Sequence, residues 1–338
     1  MAYKNLVAQA CTGKADWFIR FRDFLCARNV VYDYSTSGIG WTLHDSSYAV
    51  DESNPQLGDW IVVFSAGESG KETLYYKFEW GTNDIIVLGY SYWDNSAHTG
   101  TNWYGLTTGS LAIDETGASY DIYVSGDLDF AHVWETLEDT NDSAAMFGKL
   151  EDDVYDTTPA ICSSPLTAGS DVSVLLDSVP VSWIAGTTSV MVRFQDTVER
   201  AIVKTIISNT ITIDLVNSYS ANAVFAESVP YILTNSNTIM LIAKCLYNHT
   251  GGDAGYALSA PVLPVSNASL DPDLMYSDYI LFSIYMSSVD NEVGWCGRVP
   301  NMFTRPVALS EKTSHSDGTD TYRILKDYTS QYLAVREV

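Results

Sequence analysis

Apolar and polar positions alternate along the chain at Leu74, Tyr76, Phe78 and Trp80 against Thr73, Tyr75, Lys77 and Glu79. A period of two is the mark of a half-buried strand. The β-branched run Trp60-Ile61-Val62-Val63-Phe64 precedes it, so residues 60–80 read as a hairpin. Further strands are predicted at Gly40–His44, at Ile85–Trp93, at Tyr120–Ser125 and at Phe130–Leu137, the last two joined across the turn Gly126-Asp127-Leu128-Asp129. A period near 3.6 occurs only at Ala15–Arg28. There Trp17, Phe18, Phe21, Phe24 and Leu25 form one apolar stripe ending in Arg28, which predicts a helix laid across a sheet.

Between Thr157 and Ser170 the composition turns to Pro, Ser, Thr and Gly ("TTPAICSSPLTAGS"), as at a domain boundary. Beyond it a compact β pattern runs through Val172–Leu176, Val190–Phe194, Arg200–Ile207 and Thr210–Leu215, with a tight hairpin joint at Ile207-Ser208-Asn209-Thr210. This predicts an inserted small β-barrel or sandwich domain at 166–235. The style of the first section returns at Thr238–Tyr247 and closes in the strand pair Tyr322–Leu325 and Tyr332–Arg336. A chain ending in a strand is often pinned into a sheet begun earlier, so 1–165 plus 236–338 are expected to form one discontinuous β-rich outer domain. The fold class expected is therefore all-β, a mainly antiparallel sandwich or barrel with one N-terminal helix and an inserted small β domain.

The hairpin turn carries a distraction. Ser65-Ala66-Gly67-Glu68-Ser69-Gly70-Lys71-Glu72-Thr73 resembles a phosphate-binding loop. Such a loop needs G-x-x-x-x-G-K-[ST], so that backbone N–H groups wrap the phosphates and a hydroxyl holds Mg²⁺. Here Ser65 stands where the first glycine belongs, and Glu72 puts a carboxylate where the metal-binding hydroxyl belongs. The flanks are strands on both sides, whereas a phosphate loop opens a helix. A turn is the better reading.

Charge narrows the partners. The 338 residues hold 42 acidic against 18 basic side chains, a formal charge of −24. Such a field repels phosphate backbones, whose binding depends on Lys and Arg contacts, so neither nucleic acid nor an anionic membrane is expected as a partner. No apolar run approaches the ~20 residues that span a bilayer. The first ten residues lack the apolar core of a secretory signal, which leads to the expectation of synthesis and assembly in a cytoplasm. With 22 Tyr and 9 Trp, aromatic strands and packed interfaces are favoured over helices.

Candidate chemistry is sparse. Cys11, Cys26, Cys162, Cys245 and Cys296 are odd in number and never spaced as C-x-x-C, so buried thiols are expected rather than disulfides or zinc. His44, His98, His132, His249 and His315 are isolated, with no local metal pair. Carboxylates near aromatics, namely Asp127 and Asp129, Glu135 and Glu138, and Asp94 beside Trp93 and Trp103, would suit glycoside hydrolysis. Abundance alone produces such neighbours. Glu151-Asp152-Asp153 and Asp271-Pro272-Asp273 offer hard oxygen ligands for calcium without the rest of a binding loop. No catalytic, cofactor-binding or metal-binding residue is assigned, no cofactor is expected, and the chain is not expected to be an enzyme.

Three stretches resemble structural proteins of tailed-bacteriophage virions. They are the Gly58–Gly70 hairpin ("GDWIVVFSAGESG"), the Gly126–Phe130 turn followed by Phe147-Gly148-Lys149-Leu150, and Met191–Phe225, similar to a small β module that recurs as an insertion in virion proteins. The resemblance implies a virion building block of the tail, neck or baseplate, made in the host bacterial cytoplasm. It would bind copies of itself, as a ring or trimer, and other virion proteins, and no catalytic residues carry over. The alternative is a tail protein that binds or cleaves a host-surface carbohydrate, with Trp93, Trp103 and Tyr104 as stacking platforms; the competing assignment for those rings is core packing.

Overall fold

The computed structural model describes residues 3–47, 52–72, 74–82, 84–90, 92–101, 108–112, 120–137, 143–149, 159–181, 183–195, 197–226, 229–236, 239–245, 274–276, 279–287, 295–305, 314–316, 320–326 and 332–337. Among them are 26 strands and one helix. The chain is all-β with a single N-terminal helix, as its alternating pattern requires.

A six-stranded sheet forms the middle, in the order Lys4–Cys11, Tyr120–Gly126, Phe130–Leu137, Ser143–Lys149, Ile239–Cys245, Val229–Ser236. All its pairings are antiparallel except one: Ser143–Lys149 runs parallel to Ile239–Cys245. Against its inner face lies a five-stranded sheet, Thr42–Ser46, Trp60–Ser65, Leu74–Trp80, Asp84–Tyr90 and Thr108–Ala112. The two sheets share one core with the helix Lys14–Leu25. Ile61, Val63, Phe78 and Val87 from one sheet meet Ile122, Val124, Val133 and Phe147 from the other, under Trp17, Phe18, Phe21 and Phe24. Rings do much of the packing: Phe21 meets Phe78 at 4.7 Å and Phe78 meets Phe147 at 5.0 Å, both edge to face. Gly148 N–H donates to the Tyr76 hydroxyl at 3.0 Å, tying the sheets at the same level.

The helix ends sooner than its stripe suggests. Arg28 was expected inside it, but Lys14–Leu25 stops at Cys26. Ala27 N–H donates to Phe24 O and Arg28 N–H to Asp23 O, the double closure of a Schellman motif, with Ala27 at φ 48° where glycine is usual. Freed from the helix, Arg28 pairs with Glu52 at 2.5 Å. Arg22 and Asp23, fully buried, form an ion pair at 2.6 Å.

A second core gathers Ala160, Cys162, Val174, Trp183, Val190, Val192, Ile211, Ile213 and Phe225. It lies between a four-stranded sheet (Ala160–Cys162, Ala223–Ala226, Ser189–Phe194, Thr197–Ile202) and a three-stranded one (Gly169–Leu175, Thr210–Leu215, Thr205–Ile207). Three predicted strands are corrected. Arg200–Ile207 is not continuous. It breaks at Val203-Lys204, where Val203 N–H bonds Thr188 O in one sheet and Lys204 N–H bonds Thr212 O in the other, so the chain turns a corner between sheets. Ile85–Trp93 also divides: Asp84–Tyr90 stays in the five-stranded sheet, while Tyr92–Asp94 leaves it and pairs with Thr99–Thr101. The predicted strand Gly40–His44 is shifted to Thr42–Ser46, with Trp41 buried just before it.

The terminal strands Thr321–Lys326 and Tyr332–Arg336 pair with each other, and the latter with Trp295–Arg305, in a sheet whose strands all lie beyond residue 273. It is Ile239–Cys245 and Val229–Ser236 that return to the sheet begun earlier. Arg323 lies over Tyr123 at 5.3 Å and Arg336 over Tyr3 at 5.5 Å, joining this last sheet to the middle one.

Candidate functional site

The turn that resembles a phosphate loop directs its groups inward. Ser65 Oγ donates to Leu128 O and accepts Gly67 N–H at 3.0 Å, Glu72 N–H reaches Ala66 O at 2.8 Å, and Glu68 N–H donates to Asp129 Oδ1 at 3.0 Å. A carboxylate of the same chain thus takes an amide that a phosphate would use. Gly67 has φ +65°, and a Cβ there would lie 2.5 Å from Asp129 Oδ1, so this residue permits the close approach. Glu72, buried, faces the Lys149 ammonium at 3.5 Å.

Asp127 and Asp129, considered above for acid–base chemistry, are taken up by the backbone. Asp127 Oδ1 accepts the N–H groups of Asp129 and Phe130, closing the turn. Burial raises both carboxyl groups above their ordinary value of 3.8, against the pull of these N–H donors and, for Asp129, of Lys149. Asp94 caps its own turn by accepting Ser96 and Ala97 N–H. Glu135 lies on the strand Phe130–Leu137, and Glu138, Trp103 and Tyr104 lie outside the described residues, as do Glu151, Asp152, Asp153, Asp271 and Asp273. Trp93 is a buried packing residue, 5.1 Å from Tyr90 and 5.6 Å from Trp60.

The histidines are dispersed. His44 meets the ring of Tyr75 at 5.0 Å, His132 is buried beside Phe130, His98 contacts Asp45, His315 lies on Ser314–Ser316, and His249 is outside the described residues. Among the described residues no group of three or more His, Cys, Asp or Glu is placed to hold a metal ion. Cys11, Cys26 and Cys162 are buried and not in disulfides; desolvation pushes the Cys26 thiol up to about 12.

The surface with the most unusual character belongs to the second core. Leu175, Val181, Ile184, Ile202, Ile207 and Val216 are exposed large apolar residues, all within 175–216. Register shows how three of its strands present an outer face. Leu175 and Ile207 both lie opposite Thr210 from either side, so the three side chains form one row across the sheet. The next row on that face is Ser173, Thr212 and Thr205, with Thr205 Oγ1 donating to Thr212 Oγ1 at 2.7 Å. Val174, Ile211 and Ile206 point the other way, into the core. Leu175 is 59% and Ile207 74% exposed.

An ion pair ties this unit to the phosphate-loop-like turn. Lys71 Nζ pairs with Asp177 at 2.6 Å, and Asp177 also accepts Ile161 N–H at 2.8 Å. Burial lowers the Arg193 guanidinium to about 10, opposed by the nearby Tyr75 and Glu72 of the hairpin. No family model matches the chain, and no curated protein matches it.

Proposed function

We propose that this chain is a non-enzymatic structural protein that assembles in multiple copies and with other proteins, the role implied by its resemblance to virion components of the tail, neck or baseplate. We further read the unit expected at 166–235, whose sheets run from Ala160–Cys162 to Ala223–Ala226 while Val229–Ser236 lies in the middle sheet, as an inserted domain that carries an assembly surface. What supports this is the row Leu175–Thr210–Ile207: isolated apolar side chains are ordinary on a surface, but this row and the Ser/Thr row beside it make an uncharged strip, bounded by the exposed Asp171–Lys204–Asp214 cluster, on a molecule of net −24. Uncharged strips are where copies of a strongly acidic protein approach with least repulsion.

Size-exclusion chromatography with light scattering tests the reading. The chain should form oligomers, and Leu175→Asp with Ile207→Asp should return it to the monomer with little change in thermal midpoint, since both sites are exposed. A wild-type protein that stays monomeric at high concentration and is absent from purified particles would remove it.

A further inference from the structure

On the far side of the five-stranded sheet, the hairpin formed by Tyr92–Asp94 and Thr99–Thr101 folds back over the strands. Asn95 Nδ2–H donates to His44 O at 3.0 Å, Trp93 packs on Trp60 and Tyr90, and the Asp45 carboxylate holds the hairpin at two further points. Asp45 Oδ2 accepts Trp93 Nε1–H at 2.6 Å and lies 2.8 Å from His98 Nδ1. A carboxylate oxygen is an acceptor, so this contact places the hydrogen on Nδ1, and in the tautomer it selects the lone pair is on Nε2. The Asp45 side chain is 10% exposed, whereas the imidazole is 56% exposed. His98 also occupies φ 53°, a region that residues with a side chain rarely adopt. The fold therefore fixes a solvent-facing imidazole in one tautomer on an unfavourable backbone, which packing of Trp93 alone does not require.

Around it the chemistry is mixed. Trp60, partly exposed, has His98 edge-on at 5.8 Å and the Lys77 ammonium at 5.1 Å. Glu79, directly opposite Trp60 across the ladder, pairs with Lys77 at 2.6 Å. One indole, one imidazole acceptor, one ammonium donor and one carboxylate acceptor thus share a face. A pyranose ring has the matching surfaces: an apolar C–H patch for the indole and a rim of hydroxyls that both donate and accept. A simple anion is disfavoured by Asp45 and Glu79 and by the net charge of −24.

We propose that Trp60, Lys77, Glu79 and His98 form a binding face for a neutral pyranose of a glycan. The proposal does not depend on the assembly role. It is tested on the full chain in two arms: saturation-transfer NMR with the methyl glycosides of glucose, galactose and N-acetylglucosamine, and an array of bacterial polysaccharides. Signal in the first arm marks a free sugar as sufficient; signal only in the second marks a polymer as the ligand. His98→Asn tolerates the left-handed backbone and retains a donor for Asp45 but removes Nε2. It should reduce binding at least 10-fold, equal to about 1.4 kcal/mol, with an unchanged thermal midpoint. Trp60→Phe should weaken binding too, while Leu175→Asp should not. Absence of signal in both arms, or undiminished binding by His98→Asn, would overturn the proposal.

Discussion

At Ala27 the helix closes its last carbonyls through a residue in left-handed conformation, and Cβ crowding there disfavours any side chain. Ala27→Gly should therefore raise stability by about 1 kcal/mol, read as a higher urea midpoint at unchanged slope. A drop instead would show that backbone entropy outweighs the relieved strain. Asp127 makes a different prediction. Its carboxyl is raised by burial, so the folded state holds the proton more tightly than the unfolded chain. That contribution favours folding below the ordinary value of 3.8 and is lost as pH rises through the higher native value. Asp127→Asn keeps an oxygen for the Asp129 and Phe130 N–H groups while removing the charge. Thermal midpoints should then show the variant at or above wild type at pH 7, with the advantage shrinking toward pH 4; an advantage that grows on acidification would contradict the assigned direction.

For the elements, the helix is the piece that closes the first core, and Phe21 is its central contact, touching Trp17, Phe78 and Phe147. Phe21→Ala should lower stability by about 3–5 kcal/mol, measured by chemical denaturation. A loss below 1 kcal/mol would mean that the helix packs loosely. These elements were legible because the stripe Trp17–Leu25 and the alternation at Leu74–Trp80 are unambiguous periods. What the sequence concealed was where elements stop. Ala27 gives no glycine signal for its helix end, and Val203-Lys204 interrupts an apolar run without Gly or Pro, because the corner there is made by backbone bonds to two different sheets. The candidate sites were less legible still. Ser173, Thr205, Thr212, Leu175 and Ile207 share a face only once the register of three strands is known, and Asp45 and His98 meet only because a hairpin folds over its sheet. Conversely, the near-match to a phosphate loop at Ser65–Thr73 reads as a turn from its sequence, and within it Glu68 N–H holds Asp129.

Taken as one molecule, the chain carries −24, and copies that associate must bring that charge together. Repulsion between exposed charges extends over a screening length of about 8 Å at physiological salt and about 3 Å at 1 M. If the Leu175–Ile207 face joins copies, sedimentation should show association strengthening from low to high NaCl. Ion pairing across the contact would give the opposite slope, and that result would move the interface elsewhere on the surface.

The lone parallel seam of the middle sheet has a consequence for biogenesis. Ser143–Lys149 emerges from the ribosome long before Ile239–Cys245, its lateral neighbour, so a nascent chain exposes an unpaired edge throughout synthesis of everything between. A polypeptide halted after residue 226 should collect in the pellet when expressed, whereas one continued through residue 245 should regain solubility; equal solubility of the two would mean that the edge is shielded during translation by other means.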